Sequence, residues 1–202
     1  MTPPQPPPPT KHLIQMSGAP GSGKSTLSRR LRPSISGIII DHDILRTNLL
    51  SSPHLPFDSA AKQAYLLQWD LASDIMSHQG LNVIVDSTCN YDEVVERGRA
   101  LAAAHGYVYW YVECKVRDVA VLDKRLRARP AMASQRAAVD CPPVAAQGIG
   151  ARVGEDARAL FERWIESPCR PSGDDGHVII LDSTGSPEAL CEQVLKKMGL
   201  ST

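Results

Sequence analysis

Gly18-Ala19-Pro20-Gly21-Ser22-Gly23-Lys24-Ser25-Thr26 follows a short apolar run, His12 to Met16, and leads into a helical pattern expected to start near Lys24 and stop before Pro33. The stretch fits G-x-x-x-x-G-K-[ST] in full, and its surroundings are a strand, a turn and a helix. Each residue type has a physical reason. Glycines let the chain curl so that successive main-chain N–H groups converge on an anion. The first helical turn adds partial positive charge at the same point. Lys24 supplies a compact cation for β- and γ-phosphates, and the Ser25 hydroxyl a hard oxygen for Mg²⁺. A merely flexible glycine loop would not carry all of these together, so residues 18–26 read as a cradle for a nucleotide triphosphate.

Outward from this loop, short apolar runs alternate with longer helical patterns. Ile38-Ile39-Ile40 is the second strand, Val83-Ile84-Val85 the third, Tyr107 to Val112 the fourth and Val178 to Leu181 the fifth. Between Asp58 and His78 the residues Ala61, Ala64, Leu67, Leu71 and Ile75 recur at spacings of three and four, which predicts a helix with that face inward, ended by Gly80. Further helices are expected over Tyr91 to His105, from about Arg117, over Ala151 to Glu166, and over Pro187 to Met198. This alternation predicts an α/β three-layer sandwich: five parallel strands with helices on both faces.

The bulk numbers narrow the setting. The 202 residues are 43% hydrophobic, enough for one compact core over 11–202. Met1 to Thr10, with Pro3, Pro4 and Pro6 to Pro9, reads as a disordered, extended tail; docking on a proline-binding partner is the weaker alternative. Lys+Arg and Asp+Glu both total 22, so the basic excess usual in proteins that live on nucleic acid is missing. Cys89, Cys114, Cys141, Cys169 and Cys191 are odd in number and form no C-x-x-C pair, which fits reduced thiols in the cytoplasm. No apolar run approaches the ~20 residues of a membrane span, and the proline-rich start has no signal-peptide pattern.

Other motifs narrow the chemistry. Asn-Lys-x-Asp and Leu-Ser-Gly-Gly-Gln are absent, and the chain is too short to add the helical second domain of a ring-forming motor. That leaves a kinase using ATP and Mg²⁺. The second strand ends in Asp41-His42-Asp43-Ile44-Leu45-Arg46, where a carboxylate projects into the ligand crevice of such sheets. Asp43 is the candidate base for an attacking hydroxyl and Arg46, on the same helical face, the candidate acceptor contact; helix capping by Asp41 or Asp43 is the plainer alternative. The third strand ends in Asp86-Ser87-Thr88-Cys89-Asn90, which makes Asp86 a candidate to support Mg²⁺ beside Ser25. Asp41, Thr88 and Asn90 are candidate acceptor contacts. In Lys124-Arg125-Leu126-Arg127-Ala128-Arg129-Pro130, Arg125 and Arg129 share a face and are expected to belong to a lid over about 125–150, with Arg127 and Arg136 in reserve. His42, His54, His78 and His105 read as surface or capping residues, Trp69 and Trp164 as packing, and His54, Pro56 and Phe57 as a border of the acceptor pocket.

The succession G-x-P-G-S-G-K-S-T, D-x-D-x-x-R, D-S-T-x-N and R-x-x-x-R-P resembles the polynucleotide-kinase and zeta-toxin group of P-loop kinases, an AAA-type ATP-binding kinase domain, over residues 11 to about 130. The resemblance implies a strand order of 2-3-1-4-5, Asp43 as general base and Arg46 on the acceptor. It also implies Lys24, Arg125 and Arg129 on the ATP phosphates. Residues 131–150 have no counterpart in it, and the neutral charge departs from the basic acceptor channel of polynucleotide kinases. Three readings stay open, in this order: a kinase of a small hydroxylated molecule (nucleoside, sugar or sugar nucleotide), a 5′-hydroxyl kinase of RNA or DNA, and an ATP-dependent switch that transfers nothing.

Overall fold

The computed structural model describes residues 9–147, 156–172 and 177–200. The expected proline tail therefore lies outside the described residues apart from Pro9 and Thr10, as do 148–150 of the expected lid and 151–155 of the expected sixth helix.

Five strands form one parallel sheet: β1 His12–Ser17, β2 Gly37–Asp41, β3 Asn82–Asp86, β4 Val108–Lys115 and β5 Val178–Asp182. Their order is β2-β3-β1-β4-β5, as the resemblance implies. The helices are α1 Lys24–Ile35, α2 His42–Leu49, α3 Phe57–Asp74, α4 Asp92–His105, α5 Val119–Arg127, α6 Ala157–Glu166 and α7 Pro187–Lys197. Successive side chains of a strand alternate between faces, and β1, buried throughout, feeds two cores. Ile14 and Met16 pack with Leu27 and Leu31 of α1 and Leu190 and Val194 of α7. Leu13 packs on the opposite face with Trp69 of α3 and Val94 and Val95 of α4. A third cluster joins Ala19 of the glycine loop to Leu122 and Leu126 of α5, Val139 and Phe161 of α6.

Gln15 is the polar member of the second face. Its Nε2 donates to Val94 O at 3.0 Å and its Oε1 accepts from the Tyr109 hydroxyl at 2.7 Å, so the buried amide is satisfied on both sides. A Cβ on Gly98 would overlap that Oε1, so α4 can lie this close to β1 only with glycine there.

Three expectations are corrected. α1 does not stop before Pro33 but runs through it to Ile35. A proline in the last turn forfeits a single hydrogen bond just before the left-handed Ser36 ends the helix. In α3 the buried residues are Ala60, Ala64, Gln68, Trp69 and Ala72, whereas Leu67 and Leu71 face out at 41% and 43% exposure. Spacings of three and four fit two neighbouring stripes, and the buried one sets Trp69 and Ala72 into the core. The end of that pattern is a wider π-helical turn, Ile75–Gln79, before left-handed Gly80. Among the described residues no helix is long and apolar enough to cross a membrane.

Candidate active site

β1 ends at Ser17, and the chain turns through Gly18, Gly21 and Gly23, all at positive φ, into α1. At Gly18 (φ 127°) a Cβ would run into the carbonyl oxygen of Cys114 on β4, so the loop can enter its curl only with glycine there. Lys24 folds over the loop, donating to Gly18 O at 2.7 Å and Ala19 O at 3.1 Å. The hydroxyl of Ser183, after β5, donates to Ser22 O and braces the loop from the other side.

The carboxyl ends of β2 and β3 bring Asp41 and Asp86 into register as neighbours. Asp86 is 5% exposed. Burial pushes its carboxyl up to about 6, opposed by the Lys24 charge and a hydrogen bond with the Ser25 hydroxyl; Asp41 and Asp43 push the same way as burial. Asp41 turns back as the N-cap of α2, accepting from Asp43 N at 2.9 Å, and does not line the cleft. This is the capping alternative, realised for Asp41 alone. Burial raises its pKa also.

Asp43 does line the cleft, which encloses about 620 Å³ and runs from the glycine loop past Asp86 to Thr88 and Asn90. Its Oδ2 accepts from Gln135 Nε2 at 2.7 Å. Arg46 lies one turn on, its guanidinium 3.7 Å from the centre of the Phe57 ring and its Nη2 donating to Phe57 O at 3.4 Å, while its buried Nε has no partner among the described residues. Thr88 O accepts from the Tyr65 hydroxyl at 3.0 Å. Phe57 borders this end as expected; His54 and Pro56 are not part of the wall.

Of the basic run, Arg125 and Arg129 reach the cleft and Arg127 does not. Arg127 points outward and pairs with Asp123 at 2.7 Å and Asp140 at 3.0 Å. Arg125 donates to Ser183 O at 3.0 Å, and Arg129 keeps a buried Nε without a partner among the described residues. Arg136, 5% exposed, also lines the cleft, donating to Val139 O at 2.7 Å with its guanidinium 5.2 Å from Trp164.

Several wall residues were not singled out from the sequence. His42 is not at the surface: it is 4% exposed, its ring 4.1 Å from that of Tyr65 and its Nδ1 3.2 Å from Gln68 Oε1. Burial drives its pKa down to about 4, so near neutral pH it is an uncharged part of the wall. Ser134, Gln135, Tyr65 and Ser183 also line the cleft. No sequence signal pointed to Gln135, since residues 131–147 carry no periodic pattern.

Ser25 and Asp86 are hard oxygen donors side by side, the one a hydroxyl and the other a buried carboxylate. Two protein oxygens suit Mg²⁺, which keeps waters and takes phosphate oxygens for the rest of its shell. Among the described residues no larger cluster of His, Cys, Asp or Glu could hold a metal.

A family model described as "AAA domain" matches residues 13–147. No curated protein matches the chain. Among solved structures, a sugar kinase from Janibacter sp. HTCC2649 is similar at 16% identity and TM-score 0.61, over 96% of this chain and 96% of that one. A gluconokinase from Sinorhizobium meliloti 1021 is similar at 15% identity and TM-score 0.60, over 95% and 92%. The Mycobacterium tuberculosis APS kinase CysC, solved with AMPPNP and APS, is similar at 19% identity and TM-score 0.62, over 95% and 99%. At these identities the likeness is one of fold.

Proposed function

The chain belongs to the AAA-domain family matched over residues 13–147, and from that premise we propose that it is an ATP-dependent kinase, moving the γ-phosphoryl of ATP to a hydroxyl of a small molecule: a nucleoside, a sugar or a sugar nucleotide. The observation that carries this reading is the shared cleft. The phosphate loop with Lys24 and Ser25, and the carboxylate of Asp43 with Arg46 one turn away, open into one space. A switch that transfers nothing has no use for a carboxylate on the far side of a triphosphate site. Solved structures of like fold described as sugar kinase, gluconokinase and APS kinase support the small-molecule acceptor.

In this mechanism the main-chain N–H groups of residues 18–23 other than Pro20, together with Nζ of Lys24, hold the β- and γ-phosphates, Lys24 leaving the loop carbonyls it now contacts. Ser25 and Asp86 would hold Mg²⁺, which would supply positive charge to offset that of the phosphates. The acceptor lies against Thr88, Asn90 and Arg46, its hydroxyl oxygen in line with the γ-phosphorus. Asp43 takes the hydroxyl proton as the new P–O bond forms and the bond to the ADP oxygen breaks. Arg125 and Arg129, with a lid over about 125–150, close over the phosphates and exclude water.

The polynucleotide alternative loses ground because the acceptor end offers Arg46 as its cation, already stacked on Phe57, rather than a basic track. Motif order still places the chain, in our reading, near the polynucleotide-kinase and zeta-toxin group. We also take it to work in the cytoplasm as one domain over 11–202, with its proline tail free to meet a partner.

The test is transfer of label from γ-labelled MgATP to D-gluconate, D-ribose, uridine and UDP-glucose. Labelled product with one of them, lost in Lys24→Ala while the fold by circular dichroism is unchanged, supports the reading. No labelled product with any of them, and none with a wider panel of small alcohols, sinks it.

A further inference from the structure

The segment without a counterpart in the sequence resemblance reaches the candidate base by two hydrogen bonds and the next turn of its helix by a third. Gln135 Nε2 donates to Asp43 Oδ2 at 2.7 Å. Ser134 Oγ donates to the main-chain oxygen of Asp43 at 3.1 Å and lies 2.8 Å from Thr47 Oγ1. A hydroxyl carries one proton, and that of Ser134 is committed to Asp43 O, so Thr47 is the donor in the second contact. Two consecutive residues thus grip the side chain and main chain of Asp43 and the next turn of α2. On their other side Arg136 is buried, fixed to Val139 O and set beside Trp164 and Phe161 of α6. The triplet 134–136 therefore ties α2 to the wall made by α6.

Building on the kinase reading above, we propose that Gln135 is a positioning residue that couples lid closure to the base. When residues 131–147 lie over the cleft, the Gln135 amide engages Oδ2 and fixes the carboxylate plane, a torsion that is otherwise broad. Oδ1 is left to receive the proton of the acceptor hydroxyl. When the segment lifts, the base loses its orientation and the transfer geometry with it, so phosphoryl transfer to water in an open cleft is disfavoured. The chemistry of the residue supports this role. A lysine or arginine at 135 would form an ion pair with the carboxylate, whereas a neutral amide orients it by a hydrogen bond without setting a charge beside it.

The experiment measures ADP release from MgATP with the best acceptor among D-gluconate, D-ribose, uridine and UDP-glucose, for wild type, Gln135→Ala, Gln135→Asn, Asp43→Asn and the Gln135→Ala/Asp43→Asn double variant. Hydrogen exchange of the amides in residues 41–49 is followed in parallel. Gln135→Ala is expected to lower kcat about 10- to 100-fold, as displaced catalytic groups do, with the KM for ATP within about threefold. Gln135→Asn, one methylene short, should not restore it. In the Asp43→Asn background the Gln135 change should have no further effect, because it acts through that carboxylate. Exchange in 41–49 should rise in Gln135→Ala.

An unchanged kcat in Gln135→Ala, a loss confined to the KM for ATP, or an equal loss with Asp43 already replaced would each overturn the inference while leaving the kinase reading intact. Full turnover in Asp43→Asn alone would remove the base assignment and this inference with it.

Discussion

Arg125, near the end of α5, donates to the main-chain oxygen of Ser183 at 3.0 Å, and so locks the loop after β5 to that helix. The same serine braces the phosphate loop through Ser22 O, so one residue links three elements around the phosphates. Hydrogen bonds from a charged donor are worth about 1.5–3 kcal/mol. We expect Arg125→Ala to raise the KM for ATP at least about tenfold, with Arg125→Lys recovering little of it because an ammonium lacks the reach and planarity of the fork. Steady-state kinetics at varied ATP checks this; an unchanged KM in Arg125→Ala would show that the contact is idle.

Gly98 and Gln15 make the tightest demand on the fold away from the cleft. A methyl at 98 has to displace the amide that satisfies both Val94 O and the Tyr109 hydroxyl, with the Trp69 ring 3.1 Å away on its other side. Overpacking of this kind costs about 1–3 kcal/mol. Urea unfolding of Gly98→Ala should show that loss. Gly185→Ala, where a Cβ meets nothing within 4 Å, should stay within about 0.5 kcal/mol of wild type. Equal midpoints for the two variants would contradict the packing argument.

How much could be read in advance follows from the range of each interaction. The phosphate loop, the five strands and most helices were legible because local geometry and apolar period dictate them. The place of Asp43, Arg46 and Asp86 on the cleft was legible because Asp86 ends β3 and the other two follow the end of β2 in α2, and a parallel sheet sends strand ends to one crevice. Asp41 and Asp43, two residues apart, could not be told apart until the helix start was fixed and Asp41 became its cap. Arg127 differs from Arg125 by its direction around α5, which the positions of Asp123 and Asp140 settle, while Arg129 follows the end of that helix. Gln135 is beyond any periodicity argument: it meets its partner across 92 residues, from a segment with no regular element before the short 3-10 turn at Val144–Gln147. His42 was misread because histidine is commonly exposed, and its burial depends on Tyr65 and Gln68 of α3.

His42 gives the fold an acid-sensitive component. Its folded pKa, about 4, lies below the 6.5 of an unperturbed histidine, because burial disfavours the cation. Between those values the unfolded chain binds the extra proton and the folded chain does not, so stability falls as pH drops from 6.5 toward 4. Asp86, raised to about 6, works in the opposite direction over part of that window. The difference between wild type and a variant is therefore the clean readout. His42→Gln should destabilise near pH 7.5 by losing ring packing, yet its stability relative to wild type should improve by up to about 3 kcal/mol on going to pH 4. Urea midpoints across that range test it, and a pH-independent difference would refute the neutral buried histidine.

Asp41 and Asp43 offer the sharpest comparison at the candidate site, because the same substitution should have different consequences two residues apart. Asp41 Oδ1 accepts from the main-chain N–H of Asp43 as the cap of α2, and asparagine is as good an N-cap as aspartate. Asp41→Asn should therefore keep stability within about 0.5 kcal/mol and activity within about threefold. Replacing this carboxylate also relieves like-charge crowding on Asp86, which a slightly higher stability near neutral pH would reveal. Asp43→Asn preserves shape but not the capacity to take a proton, and turnover should fall by about 10²- to 10⁴-fold with little change in ATP affinity. Calorimetric titration with MgATP beside kinetics separates the two effects. If Asp41→Asn is the inactive variant, the base has been assigned to the wrong carboxylate, and α2 must start differently when nucleotide is bound.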